Sequence, residues 1–373
     1  MTSPTKDTSR LLDLAARIAL RGHGNVEPNP MVGCVVTDAD GTIVSEGHHR
    51  RCGGAHAEAI ALRKAGDRAA GGHLYVTLEP CHHTGRTGPC SEAIIAAGIT
   101  RVTYAHRDPN EIAGGGAEHL RAAGIDVEYQ STRKTVLLNA PHEHRCRTRR
   151  PWVIVKWAQT LDGMIATASG DSKWISSERS RRLVHRERGR VDAILTGLGT
   201  VIADDPRLTP RTLRQPRRMP ARVVIDDQLE ISLDTQLVKT AGEFKTVICC
   251  NPRKITSDKA NRLEQAGVHL IALGEQGTIA ASLGKGFEDH GWSNVLVEAG
   301  GGLVGRLAAE HLVNEVLTMI APTILGDPTG VTPFRGRTTQ RISDGLALEP
   351  VDLRVRDSEF MGWYRTPDVV TER

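Results

Sequence analysis

The feature that most constrains this chain is a set of metal-ligating residue types between positions 56 and 90. They are His56 and Glu58 in HAEA, then Cys81 and Cys90 in TLEPCHHTGRTGPC. Zinc doing hydrolytic chemistry needs about three soft or borderline protein ligands and one open position, and His56, Cys81 and Cys90 supply that set. Cys81 follows Pro80 at the end of the strand pattern LYVTL, and Cys90 directly precedes the helical pattern SEAIIAAG. Thiolates are favoured at helix N-termini, where free N–H groups offset their charge. If His56 opens a helix, Glu58 lies in its first turn, beside a metal without binding it. There it can take a proton from water and pass it to a leaving amine. Eight residues separate the cysteines, whereas paired zinc cysteines commonly stand two to four apart. Unconnected core thiols would explain the pair equally simply. A purely structural zinc would need a fourth ligand, which Cys52, His82 or His83 could supply. Order and context favour a catalytic site, because a structural one has no use for the glutamate.

Around this set, strands and helices alternate. Thr8 to Arg21 has one apolar face at helical spacing. MVGCVV and TIVSEG flank the turn DADG, a hairpin signal. His56 to Ala65 reads as a helix, RVTYAH and IDVEY as strands, and AEHLRAAG as a helix ending at glycine. The alternation from about residue 31 to 130 predicts a three-layer α/β/α domain. Residues 131–150 read as a connecting helix and a basic linker, HEHRCRTRRP, before a strand restarts at WVIVKWA. Seven strands follow: WVIVKWA, AILTGL, ARVVID, KTVICC, VHLIAL, NVLVEA and EVLTMIAP. They predict a second α/β domain on a largely parallel sheet. The domains are expected at 1–146 and 147–373.

Composition narrows the function class. A formal net charge of +4 and 3% aromatic residues argue against a nucleic-acid coat and against base-stacking platforms. No apolar run is long enough to span a bilayer, and MTSPTKDTSR has no signal-peptide core. The expectation is a cytoplasmic enzyme with small-molecule substrates and neither nucleic-acid nor membrane partners, assembled as a homo-oligomer.

His-x-Glu followed by Pro-Cys and a second Cys is the arrangement of zinc nucleobase deaminases. The series EPNPMVGCVV, HAEA, TLEPCHHTGRTGPC and RDPN closely resembles the deaminase half of the bifunctional riboflavin-biosynthesis deaminase/reductases, a family with a long loop between its zinc cysteines. The resemblance implies a cytidine-deaminase-like domain holding one zinc ion per chain. The implied substrate is a diaminopyrimidinone with a phosphoribosylamino group, from which ammonia leaves. Asn29, His49, His83, Arg86, Asp108 and Asn110 match positions that contact substrate. Asn29 before Pro30 and the segment RDPN are also ordinary turn chemistry.

The second half, from about 151 to 363, resembles the reductase half of the same family through LDG, GDSKWIS, GTVIADDPRLT and VEAGGG, in that order. The implied fold is dihydrofolate-reductase-like, and the implied activity is NADPH-dependent reduction of a ribosyl group to ribityl. By resemblance Ala158, Trp174, Thr200, Asp204, Asp227 and Gly300, Gly301 and Gly302 contact NADPH. Lys156, Ser172, Arg188, Leu208, Arg211 and Glu298 contact substrate. Read without the resemblance, the glycine run is equally a packing turn and Arg188 a solvated helix face. Three departures stand out: Thr160 where serine is usual and Ala299 where glycine often follows the glutamate in this half, and, in the first half, NEIAGGG without the basic residue often seen after AG. Two rivals remain, a nucleic-acid-editing deaminase and a non-catalytic zinc-stabilised binding protein.

Overall fold

A computed structural model describes residues 6–83, 88–110, 114–211, 215–336 and 339–367. The chain divides into two compact units, with the division along the sequence between Thr148 and Arg149.

The first unit runs α1 (Lys6–Ala19), β1 (Gly33–Thr37), β2 (Ile43–His48), α2 (Ala57–Ala65), β3 (His73–Val76), α3 (Cys90–Ala96), β4 (Arg101–Tyr104), α4 (Gly116–Ala122), β5 (Asp126–Tyr129) and α5 (Arg133–Thr148). Its sheet has the order β2-β1-β3-β4-β5. The β1 strand is antiparallel to β2 and β3, and β3, β4 and β5 are parallel. Every residue of β1 is buried, and because strand side chains alternate, it feeds two cores. Cys34 and Val36 pack with Ala57, Ala61, Ile94 and Leu120 from α2, α3 and α4. Val35 packs with Leu12, Ala15 and Ile18 of α1, and Leu138 of α5 joins Ala16 and Ala19 on that side. The result is the expected three-layer sandwich. One close approach shapes its functional end: a Cβ on Gly116 would lie 1.7 Å from the Pro80 carbonyl oxygen. Only glycine lets α4 begin against the chain that carries Cys81.

The second unit runs β6 (Trp152–Thr160), α6 (Glu178–Arg188), β7 (Ala193–Gly197), α7 (Leu198–Asp204), β8 (Ala221–Ile225), α8 (Gln236–Lys239), β9 (Thr246–Cys250), α9 (Asp258–Gln265), β10 (Val268–Ala272), α10 (Ile279–His290), β11 (Asn294–Val297), α11 (Gly301–Ala309), β12 (Glu315–Ala321), β13 (Glu349–Arg356) and β14 (Glu359–Arg365). The sheet order is β10-β9-β8-β7-β11-β6-β12-β14-β13. Strands β6 to β12 pair in parallel, and β14 and β13 add an antiparallel edge. The continuous apolar runs in the parallel strands follow from helices covering both faces. Val155, Leu195, Val223 and Val297 pack under α10 and α11. Ile194, Val224, Ile248 and Leu296 pack under α8 and α9. The β13–β14 hairpin was not among the strands expected. Its turn residues Asp357 and Ser358 both have positive φ, 49° and 64°, the geometry that Asn-Gly or Asp-Gly normally signals; Asp-Ser gives no such signal.

Candidate functional site

In the first unit the local fold brings the ligand set together. His56 is the N-cap of α2, with extended backbone, so its side chain leaves the helix start and Glu58 falls in the first turn. Cys81 lies beyond the end of β3, and Cys90 is the first residue of α3. His56 Nδ1 lies 3.2 Å from Cys90 Sγ and 3.5 Å from Cys81 Sγ. The Cys90 backbone N–H donates to Cys81 Sγ at 3.5 Å. The two thiols titrate as a pair. Hydrogen bonding from Cys90, helped by His56, pulls Cys81 down to about 4, while the neighbouring Cys81 sulfur and burial push Cys90 up. The bond to Cys81 also raises His56. Glu58 is 3% exposed; burial lifts its carboxyl above the usual range, and its Oε2 has no hydrogen-bond partner among the described residues. A half-buried histidine, two buried cysteines and an orphaned carboxylate oxygen fit a zinc ion. Among the described residues no fourth ligand joins the three. Cys52 is exposed, its thiol 3.9 Å from Asn29 Oδ1, and His82 turns towards Glu92 and His119. The donor set is therefore the three-ligand kind that leaves a coordination position open.

Asn29, His49 and Asp108 gather beside this triad. His49 Nδ1 donates to the Ala55 carbonyl at 3.0 Å, so its Nε2 keeps a lone pair and accepts from Asn29 Nδ2 at 3.3 Å. Burial lowers the His49 pKa, which keeps the ring neutral. Its ring meets His56 edge-on with centroids 5.7 Å apart. Asp108 lies close enough for its charge to raise His56, and its Oδ1 accepts the Asn110 N–H at 2.9 Å. His83 carries a buried Nδ1 with no hydrogen-bond partner among the described residues. Arg86 lies outside the described residues. His142, in the segment read as a basic connector, has no role in the sequence reading. Its Nε2 stands 3.6 Å from Asp108 Oδ1, and its spacing of four from Cys146 on α5 was the available clue.

In the second unit the expected residues cluster only in part. The carboxyl ends of β6, β7 and β11 are adjacent, the edge where ligands bind open parallel sheets. Glu298 follows β11 there. Arg188, the last residue of α6, grips it with Nε to Oε1 at 2.5 Å and Nη2 to Oε2 at 2.8 Å, and its Nη1 donates to the Thr209 carbonyl at 3.3 Å. Burial pushes Glu298 up, but the charge and hydrogen bonds of Arg188, with Lys156 adding, bring it down to about 2. Burial lowers Lys156, although Glu298 opposes that shift. Arg211 is exposed, and its backbone N–H donates to His185 Nδ1 at 3.2 Å. Burial and the nearby Arg188 and Arg211 charges lower His185 to about 4, so its ring is neutral. Leu208 is buried with φ 48°. His185 was hidden in the charged run RRLVHRERGR. Also unforeseen was buried Glu359 of β14, which accepts from Ser177 Oγ at 3.0 Å and from Ser177 N–H and Ser180 Oγ, anchoring the start of α6.

The expected cofactor contacts scatter around this edge. Thr200 Oγ1 accepts the Gly300 N–H at 3.3 Å. Gly301 is a packing glycine, because a Cβ there would lie 2.5 Å from the Thr332 carbonyl oxygen; nothing lies within 4 Å of one on Gly300 or Gly302. Asp227 is engaged by Arg306 at 2.6 and 3.1 Å. Ala158 is half-buried on β6 and Asp204 exposed at the end of α7. Trp174 is 70% exposed, with the Arg181 guanidinium 4.3 Å over its ring. Ser172, half-buried, lies two residues before it, and the described hydrogen bonds join neither to the Arg188–Glu298 pair.

Comparison with known proteins bears on both units. Residues 5–106 match the cytidine and deoxycytidylate deaminase zinc-binding region, and residues 151–361 match the RibD C-terminal domain. The chain is 38% identical to riboflavin biosynthesis protein RibD of Actinobacillus pleuropneumoniae, over 93% of this chain and 91% of that one. It is 40% identical to RibD of Escherichia coli strain K12, over 91% and 94% of the two chains. It is also similar to the crystal structure of a diaminohydroxyphosphoribosylaminopyrimidine deaminase/5-amino-6-(5-phosphoribosylamino)uracil reductase from Thermotoga maritima. That match has a TM-score of 0.81 at 32% identity and covers 96% of this chain and 99% of that one. No described helix is long and apolar enough to cross a membrane. The chain belongs to the RibD family of bifunctional riboflavin-biosynthesis deaminase/reductases, with a zinc-binding deaminase region in its N-terminal half and a reductase domain in its C-terminal half.

Proposed function

We propose that residues 1–146 deaminate 2,5-diamino-6-(5-phosphoribosylamino)pyrimidin-4(3H)-one and that residues 147–373 then reduce the ribosyl group of 5-amino-6-(5-phosphoribosylamino)uracil with NADPH. The reactions are those named for the Thermotoga maritima relative. The observation that carries the reading is Glu58: a buried carboxyl with one unpartnered oxygen beside a His/Cys/Cys donor set. The reading includes one zinc ion per chain on His56, Cys81 and Cys90, a homo-oligomeric assembly and a cytoplasmic location.

Zinc in this position supplies the Lewis acidity that makes water a nucleophile near neutral pH. The protein does the rest. Glu58, its proton affinity raised by burial, takes the proton from the nucleophile and delivers it to the departing amine. His49, fixed as the neutral Nδ1–H tautomer, holds the Asn29 amide by its nitrogen. That leaves Asn29 Oδ1 to accept from a pyrimidine N–H. His83, Asp108 and Asn110 read the sugar side, and Arg86 the phosphate.

NADPH supplies a hydride to C1′ of the ring-opened sugar imine, so the reductase domain mainly positions its two ligands. Arg188 spends its fork on Glu298 and a carbonyl. Its part is to hold the Glu298 carboxylate for the ribosyl hydroxyls, with Ser172 and Leu208 alongside. Lys156 and Arg211 are the cations left to meet the phosphate ester. Ala158, Trp174, Thr200, Asp204, Asp227, Gly300 and Gly302 line the cofactor, and Gly301 keeps the turn closely packed.

The test is Glu58→Ala on the purified full chain. It keeps its zinc, loses ammonia release by about 10²- to 10⁴-fold, and still oxidises NADPH when given the deaminated nucleotide. Retained deamination would remove the proton-transfer role of Glu58.

A further inference from the structure

We propose that His82, Glu92 and His119 form a second metal site, separate from the His56–Cys81–Cys90 triad, that takes a divalent transition-metal ion such as zinc. One ligand atom from each residue lies within 4.8 Å of the others. Bonds of about 2.1 Å from nitrogen or oxygen to zinc put the donors of one ion up to about 4.2 Å apart, so small side-chain rotations close the set. His119 Nε2 already sits 2.8 Å from Glu92 Oε1. The His82 and His119 rings stack with centroids 3.8 Å apart and planes 23° from parallel, and one ring must turn for both lone pairs to meet one ion. His82 is oriented from behind: its Nδ1 lies 2.9 Å from the Oγ of Ser91, which is fully buried. A hydrogen bond donated by the second ring nitrogen is the usual support of a ligating histidine, and in the tautomer whose Nδ1–H donates to Ser91 Oγ, Nε2 is the outward ligand atom.

The placement follows from the backbone. Cys81 and His82 are successive residues of an irregular segment, Cys81 buried and His82 exposed. Cys90 and Glu92 are two positions apart on α3, about 200° around the helix, and again the cysteine is buried and the acid exposed. The two segments that hold the inner thiols therefore present a histidine and a carboxylate on their outer sides, and α4 brings His119 to meet them. Two imidazoles and a carboxylate, with no thiolate, suit zinc, copper or nickel. Partial exposure leaves room for water ligands, so this ion exchanges more readily than one held by two thiolates. When bound it ties residues 82 and 92, which lie one and two positions beyond the inner cysteines Cys81 and Cys90, to α4.

The proposal does not depend on the chemistry of the inner triad, and cobalt(II) titration of the full chain separates the two sites. The inner set gives thiolate-to-cobalt charge-transfer absorption; the outer set gives only ligand-field bands. Wild type is expected to bind two equivalents, the first with the charge-transfer signal and the second without it. His119→Ala and Glu92→Gln, both on side chains outside the core, should bind one, with the charge-transfer signal intact. Cys90→Ser should lose that signal and keep the outer equivalent. A single equivalent in wild type, or a second equivalent that persists in both His119→Ala and Glu92→Gln, would overturn the proposal and leave His119 and Glu92 an ordinary surface ion pair.

Discussion

The two candidate sites solve opposite electrostatic problems. The deaminase site leaves demand unmet: two buried thiols lie against His56 with Cys81 pulled towards the thiolate, and among the described residues Glu58 has a buried oxygen without a partner. The reductase site is already satisfied. Glu298 is answered by Arg188 in a bidentate pair, and Asp227 by Arg306. An unmet buried polar group costs free energy that a ligand recovers on binding. A paired one gives up existing bonds when a ligand arrives, so its site is stable while empty and exchanges partners on loading. The first unit should accordingly depend on its metal, and the second on its own ion pairs.

The largest expected effect breaks the first half of this contrast. Cys90→Ser should abolish both tight zinc retention and ammonia release, seen by metal analysis and an ammonia assay, while NADPH oxidation of supplied deaminated nucleotide is unchanged. Next comes Arg188→Ala. Removing one partner of a buried ion pair costs about 3–5 kcal/mol, so the reductase unit should unfold at markedly lower denaturant than wild type. Lys156→Ala should lower kcat/KM for NADPH oxidation by about 10- to 100-fold, the worth of one charge-assisted hydrogen bond, and spare deamination. Loss of both activities would contradict independent sites.

A subtler effect comes from acid. Glu298 titrates at about 2 in the folded protein and near 4.3 when unfolded. Its folded pKa is depressed, so its contribution is present above about 4.3 and is lost as pH falls through about 2, at most about 3 kcal/mol. Unfolding of wild type should become steeply acid-sensitive across that window, and Glu298→Gln should flatten the dependence while lowering stability at neutral pH. The smallest effect is Asp227→Ala. The pair with Arg306 is partly exposed on both sides, so stability should change by less than about 1 kcal/mol, and any larger change should appear in the KM for NADPH.

The same contrast explains what could be read from the sequence. His56, Cys81 and Cys90 are legible because metal chemistry accepts few residue types and places them at helix starts and strand ends. The seven parallel strands are legible because burial on both faces writes continuous apolar runs such as AILTG and TVICC. Ion-pair partners leave no such trace. Arg188 and His185 sit in a run of charges that looks like a solvated helix face, and Arg306 lies in a helix read only for its glycines. Glu359 caps α6 from a strand 182 residues beyond Ser177. The β13–β14 hairpin escaped because Asp357 and Ser358 occupy a turn that sequence rules assign to glycine.

The most direct test of the central claim, two sequential reactions at two independent sites, is a paired assay on zinc-loaded wild-type protein. It follows ammonia release and NADPH consumption from the diaminopyrimidinone nucleotide in one reaction. Ammonia should appear first and without NADPH, and each NADPH oxidised should follow one ammonia released. NADPH oxidation that precedes ammonia release, or proceeds at full rate in Cys90→Ser without added deaminated product, would contradict it.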